Sequence, residues 1–227
     1  MTSQPNMPRK VVVLCGSPRR NGNSRRLGDA LCEGAGKAGH EAELIHIPDW
    51  VDGMLRDCKE CRKPDGHCAI DDRFEELFFE KMLPADAWVY ATPLYWYGVS
   101  GIFKNMLDRS FCCMSAGHPE CERVIRDFQH KKCAVLMSAE ENNLPSRLGV
   151  LAHMEELCRY LRHDFVGFVV GVGNARGDTL EDPSNPVDEA HALGRRLFEI
   201  RETNYTIDSE RPKKLWSEDT FYPVTWR

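Results

Sequence analysis

The sequence of 227 residues is marked first by what is missing from it. No apolar run is long enough to span a bilayer, and the first nine residues are polar, so we expect neither a membrane span nor a signal peptide. Positive charge is not in excess. The net charge of −5 argues against nucleic acid or an anionic membrane surface as a partner. Internal repeats and low-complexity tracts are also missing, and we expect a cytoplasmic globular protein.

The most informative stretch is residues 10–24, which read KVVVLCGSPRRNGNS. Its apolar, mostly β-branched residues predict a strand that is buried on both faces, and an amphipathic helix is predicted directly after it, at about residues 24–38. The loop between them carries hydroxyl, amide and guanidinium groups. Unpaired backbone N–H groups and the positive end of a helix meet at such a point. The loop therefore predicts a phosphate site, and the alternative is an ordinary polar connection.

Two nucleotide-binding signatures are missing from this loop. It has no Gly-Lys-Ser/Thr ending, and its glycine spacing is wrong for a Walker P-loop. It also has no Gly-x-Gly-x-x-Gly pattern, and no acidic residue closes the second predicted strand. The groups that are present suit a single terminal phosphate monoester bound without a metal: Ser17, Arg19, Asn21, Asn23 and Ser24.

Further strands are predicted at about residues 41–47, 85–92, 132–138 and 165–173, and further helices at about 73–82, 99–110, from 145 onward and 186–200. This alternation predicts an α/β fold, a doubly wound five-stranded parallel sheet in three α/β/α layers. We divide the chain into an N-terminal extension (1–9), a domain (10–200) with insertions at about 50–72 and 111–130, and a C-terminal tail (201–227). Loops after the strands then meet at one sheet edge, where such folds bind ligands.

The loop after the third strand, residues 93–98, has three aromatic residues in a row. Tyr95, Trp96 and Tyr97 cannot all enter the core without leaving hydroxyl and indole N–H groups to be satisfied. They are suited to stacking on a planar ring, and backbone groups of the loop can bond to the ring's edge. The alternative is an oligomer interface, which is compatible with a ring site because a partner subunit can complete it.

Taken together, GSPRRNGNS, ATPLYWYGVSG and KNMLDR resemble the NADPH-dependent FMN reductase family, which has the flavodoxin-like fold. The resemblance implies FMN bound without a covalent bond. Its implied contacts are the phosphate loop (Ser17, Arg19, Asn21, Gly22, Asn23, Ser24), the ring loop (Pro93, Leu94, Tyr95, Trp96, Tyr97, Gly98) and the loop after the fourth strand (Ser138, Ala139, Glu140). Asp108 and Arg109 are interpreted as structural, pairing near the end of the third helix. We assign no catalytic side chain and no metal ligand.

The ten cysteines leave a question open. Cys15, Cys32, Cys133 and Cys158 fall in predicted elements and read as small core residues. Iron–sulfur flavoproteins within this family carry a compact four-cysteine run ahead of an Asp-Asp pair similar to Asp71-Asp72. The chain has three cysteines there, with Pro64 where another would be expected, and a fourth ligand would have to come from a second group of loop-like residues. The run is Cys58, Cys61 and Cys68, and the second group is Cys112, Cys113 and Cys121. A loop without a cluster, a zinc site and a redox disulfide remain the alternatives.

The predicted function is an FMN-dependent oxidoreductase that takes hydride from NAD(P)H and reduces a small acceptor such as a quinone or a flavin. A one-electron carrier that exchanges with a ferredoxin-like partner is the first alternative. A flavodoxin-like binding protein whose tail mediates assembly is the second. The tail aromatics Trp216, Phe221, Tyr222 and Trp226 are too apolar to lie free, so we expect a homodimer or homotetramer.

Overall fold

Strands and helices alternate along residues 7–57 and 61–200, the part of the chain that the computed structural model describes. The strands are β1 (Lys10–Cys15), β2 (Glu41–His46), β3 (Ala87–Pro93), β4 (Lys132–Ala139) and β5 (Asp164–Val172). The helices are α1 (Asn23–Lys37), α2 (Phe74–Glu76, continued by a π-helical turn over Leu77–Met82), α3 (Gly101–Met114), α4 (Cys121–Asp127), α5 (Leu144–Leu161) and α6 (Pro186–Arg196).

All neighbouring strands are parallel, in the order β2-β1-β3-β4-β5. The predicted five-stranded doubly wound sheet is therefore confirmed. The strand order changes direction between β1 and β3. At such a switch point the loops after the two strands part to opposite faces and leave a crevice. The phosphate loop follows β1 and the aromatic loop follows β3, so the crevice lies between the two loops that the sequence singled out.

The alternation of side chains along β1 divides the core into two layers. Val11 and Val13 belong to a cluster with Leu27 and Leu31 of α1. Leu14 belongs to the other cluster, which contains the aromatic residues of α2 and the inner residues of α3 and α5. The run of apolar residues in β1 is thus buried on both faces, as predicted, and it fixes the position of the loop that follows.

Glycines allow α1 and α6 to touch. A Cβ added at Gly34 of α1 would overlap His191 O, and one added at Gly194 of α6 would overlap Leu31 O. Backbone meets backbone at both points. The second half of α1 is therefore in close backbone contact with α6.

Residues 111–130, predicted as an insertion with loop-like cysteines, are largely helical. α3 continues to Met114, and Cys112 and Cys113 lie within it, buried. α4 follows, with Val124 packed in the core. The polar composition of this segment gave no helical period for α4, because Val124 is the buried residue of its two turns.

The buried face of α5 follows Val150, Met154 and Cys158, which leaves Leu148 49% exposed. Asn185 stands before Pro186 at the start of α6, and its side chain makes no capping hydrogen bond. The amide donates to Pro183 O instead. Cys58 and the aromatic residues of the tail, for which predictions were also made, lie outside the described residues.

Candidate functional site

The loop after β1 turns tightly before α1. Ser17 is buried, and its hydroxyl oxygen accepts the Arg19 N–H at 3.2 Å. A Cβ added at Gly22 would lie 3.1 Å from Arg19 Cβ and 3.3 Å from Ser17 Oγ, so the turn closes on the glycine. The loop is thus a compact cradle in front of the helix.

The first turn of α1 is open to an anion. No side chain caps it and it contains no acidic residue. The first backbone bond across the turn runs from Arg26 N to Gly22 O. The N–H groups of Asn23, Ser24 and Arg25 therefore precede the helical hydrogen-bond pattern and point out of the helix end. This is the arrangement that binds a phosphate.

The side chains of Asn23 and Ser24 are committed inside the protein. The Asn23 amide donates to Gly173 O and Ala175 O, at 3.2 and 3.0 Å, and its oxygen accepts the Gly177 N–H at 2.8 Å. Ser24 Oγ lies 2.7 Å from Ser138 Oγ. These two residues can contribute backbone N–H groups to a phosphate, whereas Arg19 and Asn21 have exposed side chains.

His46, the last residue of β2, braces the loop from the other side. Its Nε2 lies 2.9 Å from Ser17 O, and the ring is buried. Two residues of the adjoining segments add an ion pair, in which Arg20 Nη1 donates to Asp49 Oδ2 at 2.8 Å. Sequence reasoning missed this support, because nothing in the EAELIHI pattern distinguishes the histidine from any polar residue at the end of a strand.

The aromatic loop forms a tight turn at the end of β3. Tyr95 and Gly98 exchange two backbone hydrogen bonds of 3.0 Å, and Trp96 and Tyr97 between them have φ of 48° and 60°. The side chains of both residues point away from the protein. Trp96 is 96% exposed and Tyr97 is 57% exposed. The loop thus presents an aromatic surface instead of filling the core.

Hydrogen bonds join the two loops across the switch point. Ser100 Oγ donates to Gly16 O at 2.5 Å, and Leu94 N donates to Ser138 O at 2.8 Å. An added Cβ at Gly16 would lie 2.7 Å from Phe103 Cβ, so only glycine lets α3 approach this closely. Together with the Ser24–Ser138 contact, these bonds fix the phosphate loop, the ring loop and the end of β4 relative to one another.

The loop after β4 completes this edge of the sheet. Ser138 and Ala139 are buried at the end of the strand, and Glu140 is exposed beyond them. Glu140 Oε1 accepts a hydrogen bond of 3.1 Å from Asn174 Nδ2 of the loop after β5. Of the predicted contacts, the structure thus brings all three loops together, while Asn23 and Ser138 face protein groups through their side chains.

The cysteine segment starts at this edge but leads away from it. Residues 61–69 form a hairpin in which Arg62 and Cys68 are bridge partners. Cys68 Sγ lies 3.7 Å from Arg109 Nη2, and Cys112 Sγ lies 3.5 Å from Arg62 Nη2. Arg109 stands eight residues after Gly101, the start of α3, which corresponds to about 12 Å of helix. Cys68 and Cys112 therefore lie beside and within the second half of α3, respectively, away from its start.

The described thiols have contacts with other protein groups. Among residues 7–57 and 61–200, no group of side chains close enough to share a single metal ion contains a cysteine. Cys68 and Cys112 each face a guanidinium instead, and burial raises the pKa of the Cys112 thiol. Cys121 donates to Met114 O. Cys58 lies outside the described residues.

The predicted Asp108–Arg109 pair is wrong in its partners. Asp108 accepts a hydrogen bond from Lys104 at the surface, whereas Arg109 is buried and donates to Asp72 Oδ1 at 2.7 Å and to Gly53 O at 3.0 Å. Burial disfavours the Asp72 carboxylate, but hydrogen bonds from Arg109 and from backbone N–H groups outweigh it and hold the pKa of Asp72 below its ordinary value. The structural role predicted for Arg109 remains the one that this geometry supports.

The crevice has two chemically different parts. The open first turn of α1, with Arg19 beside it, offers donors to an anion, and the exposed aromatic turn offers a surface to a planar ring. The hydrogen bonds between the loops keep these two parts in a fixed relation.

None of the described helices is long and apolar enough to cross a membrane.

Comparison with known proteins agrees with this geometry. Residues 9–174 match the model of the family described as NADPH-dependent FMN reductase. An iron–sulfur flavoprotein of Archaeoglobus fulgidus is 40% identical over 101 residues, covering 44% of this chain and 48% of that protein. A Bacillus subtilis protein named as an NAD(P)H-dependent FMN-containing oxidoreductase, YwqN, is 27% identical over 173 residues, covering 76% of this chain and 90% of that protein.

The fold has counterparts among solved structures. The NAD(P)H:quinone oxidoreductase of Methanothermobacter marburgensis superposes with a TM-score of 0.60 at 21% identity, covering 86% of this chain and 99% of that one. The match to the Archaeoglobus iron–sulfur flavoprotein, by contrast, spans about half of that protein's length. The flavodoxin-like fold and the FMN-dependent class of oxidoreductase predicted from the sequence are thus confirmed at the level of the family. The chain belongs to the NADPH-dependent FMN reductase family.

Proposed function

We propose that the chain binds FMN in the crevice between the loops after β1 and β3, takes hydride from NAD(P)H, and reduces a small acceptor such as a quinone or a flavin. The observation that supports this best is the fixed pairing of an uncapped helix start with an exposed aromatic turn across the switch point. One part suits a phosphate and the other suits a flat ring. FMN joins both groups in one molecule.

The residues of the chain would act by position and charge. Backbone N–H groups at Asn23 and Ser24, with the guanidinium of Arg19, would hold the phosphate. Tyr95, Trp96 and Tyr97 would cover the ring, and backbone groups of residues 93–98 would bond to its edge. FMN supplies the capacity to accept and pass on hydride, so no side chain has to act as a general acid or base.

The first experiment is an absorbance spectrum of the purified full chain, followed by acid release and identification of the flavin. We expect FMN, and oxidation of NADPH or NADH that depends on added quinone or free flavin. A colourless protein that cannot be reconstituted with FMN would contradict the proposal.

The phosphate cradle can be tested by comparing FMN with riboflavin, which lacks the phosphate. Arg19→Ala is expected to weaken FMN binding by about 10-fold or more, because a hydrogen bond to a charged group contributes about 1.5–3 kcal/mol. Riboflavin binding should not change. Arg25→Ala is the matched control, since Arg25 is held by Asp29 at 3.0 Å on the same helix. Equal losses for both flavins would show that Arg19 does not meet the phosphate.

A one-electron carrier remains the second candidate, supported by the 40% identity to an iron–sulfur flavoprotein over 101 residues. It requires iron and labile sulfide in the purified protein together with negligible oxidation of NADPH. The position of Cys68 beside Arg109, about 12 Å along α3 from the start of that helix, argues against it. Elemental analysis distinguishes the two candidates directly.

The assembly and location are parts of the same proposal. A second subunit would shield the aromatic turn, so we propose a homodimer or homotetramer, with no nucleic-acid partner. A cytoplasmic location stays a prediction. The excess of negative charge supports the absence of nucleic acid.

A further inference from the structure

Three metal-ligating side chains meet at a place that the flavin site does not use. His67 belongs to the 61–69 hairpin, Glu75 to α2, and His118 to the loop after α3. Glu75 Oε2 lies 3.1 Å from His67 Nδ1, and Glu75 Oε1 lies 3.3 Å from His118 Nε2. One ligand atom from each residue lies within 4.8 Å of the other two. We propose that these three residues bind a divalent transition-metal ion, with Zn²⁺ as the ion that fits best.

The separations match those of a zinc site. Zinc binds histidine nitrogen and carboxylate oxygen at about 2.0–2.2 Å in a tetrahedron, which places neighbouring ligand atoms about 3.3–3.5 Å apart. The two measured distances are close to that value. The His118 side chain is fully buried, whereas that of His67 is 39% exposed. The site is therefore anchored on one side and open on the other, which leaves a position for water.

The surrounding packing holds the three ligands in place. Gly66 has φ of +92°, and a Cβ there would overlap Gly117 O, so the hairpin turn and the loop after α3 interlock through glycine. The ring of Phe79 stacks on His118 with a centroid distance of 5.2 Å. Cys68 N donates to Glu75 Oε1 at 2.8 Å. Contacts of ligand side chains with residues that do not themselves bind the metal orient the ligands.

The hydrogen bond from the Glu120 N–H to His118 is the contact that metal binding would break. The Glu120 N–H donates to His118 Nδ1 at 3.1 Å, so the proton of the neutral ring sits on Nε2 and faces Glu75. A metal bound at Nε2 displaces that proton, and the ring takes up a proton at Nδ1. The ring stays neutral, and the Glu120 N–H loses its acceptor. Metal binding is therefore coupled to a local change at the Glu120 peptide.

The three ligands are nitrogen and oxygen donors, and the sulfur atoms of two nearby cysteines face other groups. Cys68 contributes its backbone N–H to Glu75, while its sulfur faces Arg109. Cys112 faces Arg62. The metal would fasten the hairpin, α2 and the 115–120 loop to one another, at a distance from the flavin crevice.

The experiment uses tag-free full-length protein, freed of metal with a chelator and titrated with ZnCl₂ in a calorimeter. Zinc per chain is then measured by elemental analysis after gel filtration. We expect one zinc per chain. His67→Gln and Glu75→Gln should each lower zinc affinity by about 100-fold or more, since loss of even an outer contact costs about 10–100-fold. His153→Gln, which removes a half-buried histidine of α5, should bind zinc as the wild type does.

An independent readout covers the case in which the variants are unstable. In the wild type, zinc should shift the amide resonance of Glu120, as the loss of its acceptor requires. The proposal is overturned by a wild type that binds no zinc, by His67→Gln and Glu75→Gln proteins that bind it normally, or by an unmoved Glu120 resonance. Zinc binding that is lost in a Cys61→Ser, Cys68→Ser protein but kept in the histidine variant would assign the metal to thiols and also overturns it.

Discussion

At the scale of single residues, burial decides the roles of two aspartates, Asp72 and Asp108. Asp72 and Arg109 have side chains that are 4% and 1% exposed, whereas Asp108 pairs with Lys104 at the surface. A buried ion pair fastens the segment after β2 to α3. An exposed pair of the same chemistry contributes little, because water and salt screen it.

This contrast yields the first prediction. Asp72→Ala leaves the buried Arg109 without its partner and should lower the free energy of unfolding by about 3–5 kcal/mol. Asp108→Ala should change it by less than about 1 kcal/mol. Urea unfolding of both variants measures the difference. Similar small losses in the two variants would contradict the structural role of the Asp72–Arg109 pair.

His163 gives a prediction about pH. Burial lowers its pKa to about 3 from 6.5, although the hydrogen bond from Nε2 to Phe128 O favours the charged form. The unfolded chain therefore takes up a proton below pH 6.5 that the folded chain refuses until about pH 3. Stability from this residue is complete above pH 6.5 and is lost as the pH falls towards 3.

Between pH 7.5 and pH 5, this residue should lower the free energy of unfolding by about 2 kcal/mol. His163→Gln keeps a donor for Phe128 O but does not titrate, so its stability should fall less than that of the wild type over the same range. Chemical unfolding at the two pH values measures this. An unchanged pH dependence in the variant would rule out His163 as its source.

At the scale of elements, the first turn of α1 forms part of the phosphate cradle, and the helix packs against α6. The two helices approach through Gly34 and Gly194, where an added Cβ would overlap the opposite backbone. Gly36, two residues further along α1, has nothing within 4 Å of the corresponding position. The same substitution at the two glycines therefore has opposite consequences.

Gly34→Ala should force the helices apart and lower the free energy of unfolding by about 1–3 kcal/mol. Gly36→Ala should raise it by about 0.5–1 kcal/mol, because alanine is the better helix former. Thermal unfolding of the two variants measures both signs. A Gly34→Ala protein as stable as the wild type would show that α1 and α6 are not in backbone contact.

The sequence predicted these elements unevenly, for physical reasons. β1 and α1 were readable because β1 is a continuous apolar run and the apolar residues of α1 repeat at the helix period. α4 was not readable, since Val124 is its one buried residue. Contacts between residues distant in sequence could not be predicted either. His67 and His118, which meet at Glu75, are 51 positions apart in the sequence.

At the scale of the whole molecule, the exposed apolar residues are not spread evenly. The aromatic turn lies beside α5, since a Cβ added at Gly149 would be 3.6 Å from Tyr97 O. Leu144 and Leu148 of α5 are 66% and 49% exposed next to it. Apolar surface of this kind marks an interaction site. It borders the crevice proposed for FMN.

We predict that light scattering gives at least a dimer, and that Leu148→Glu shifts it towards the monomer by placing charge in the apolar surface. Ile125→Glu, at a 51% exposed residue of α4, is the control and should leave the mass unchanged. A wild-type monomer would contradict the proposed assembly. Loss of mass in both variants would instead indicate a general effect of added charge.

The left-handed backbone of the aromatic turn would influence the outcome of laboratory evolution. Trp96 and Tyr97 occupy left-handed positions that favour glycine or asparagine, at a cost of about 1 kcal/mol or more each. A selection for heat resistance alone would therefore drive these two codons towards Asn-Gly and discard the aromatic surface. A selection for turnover would preserve them. The two populations would diverge first at this turn, and their sequences would report whether the strained aromatics serve the chemistry.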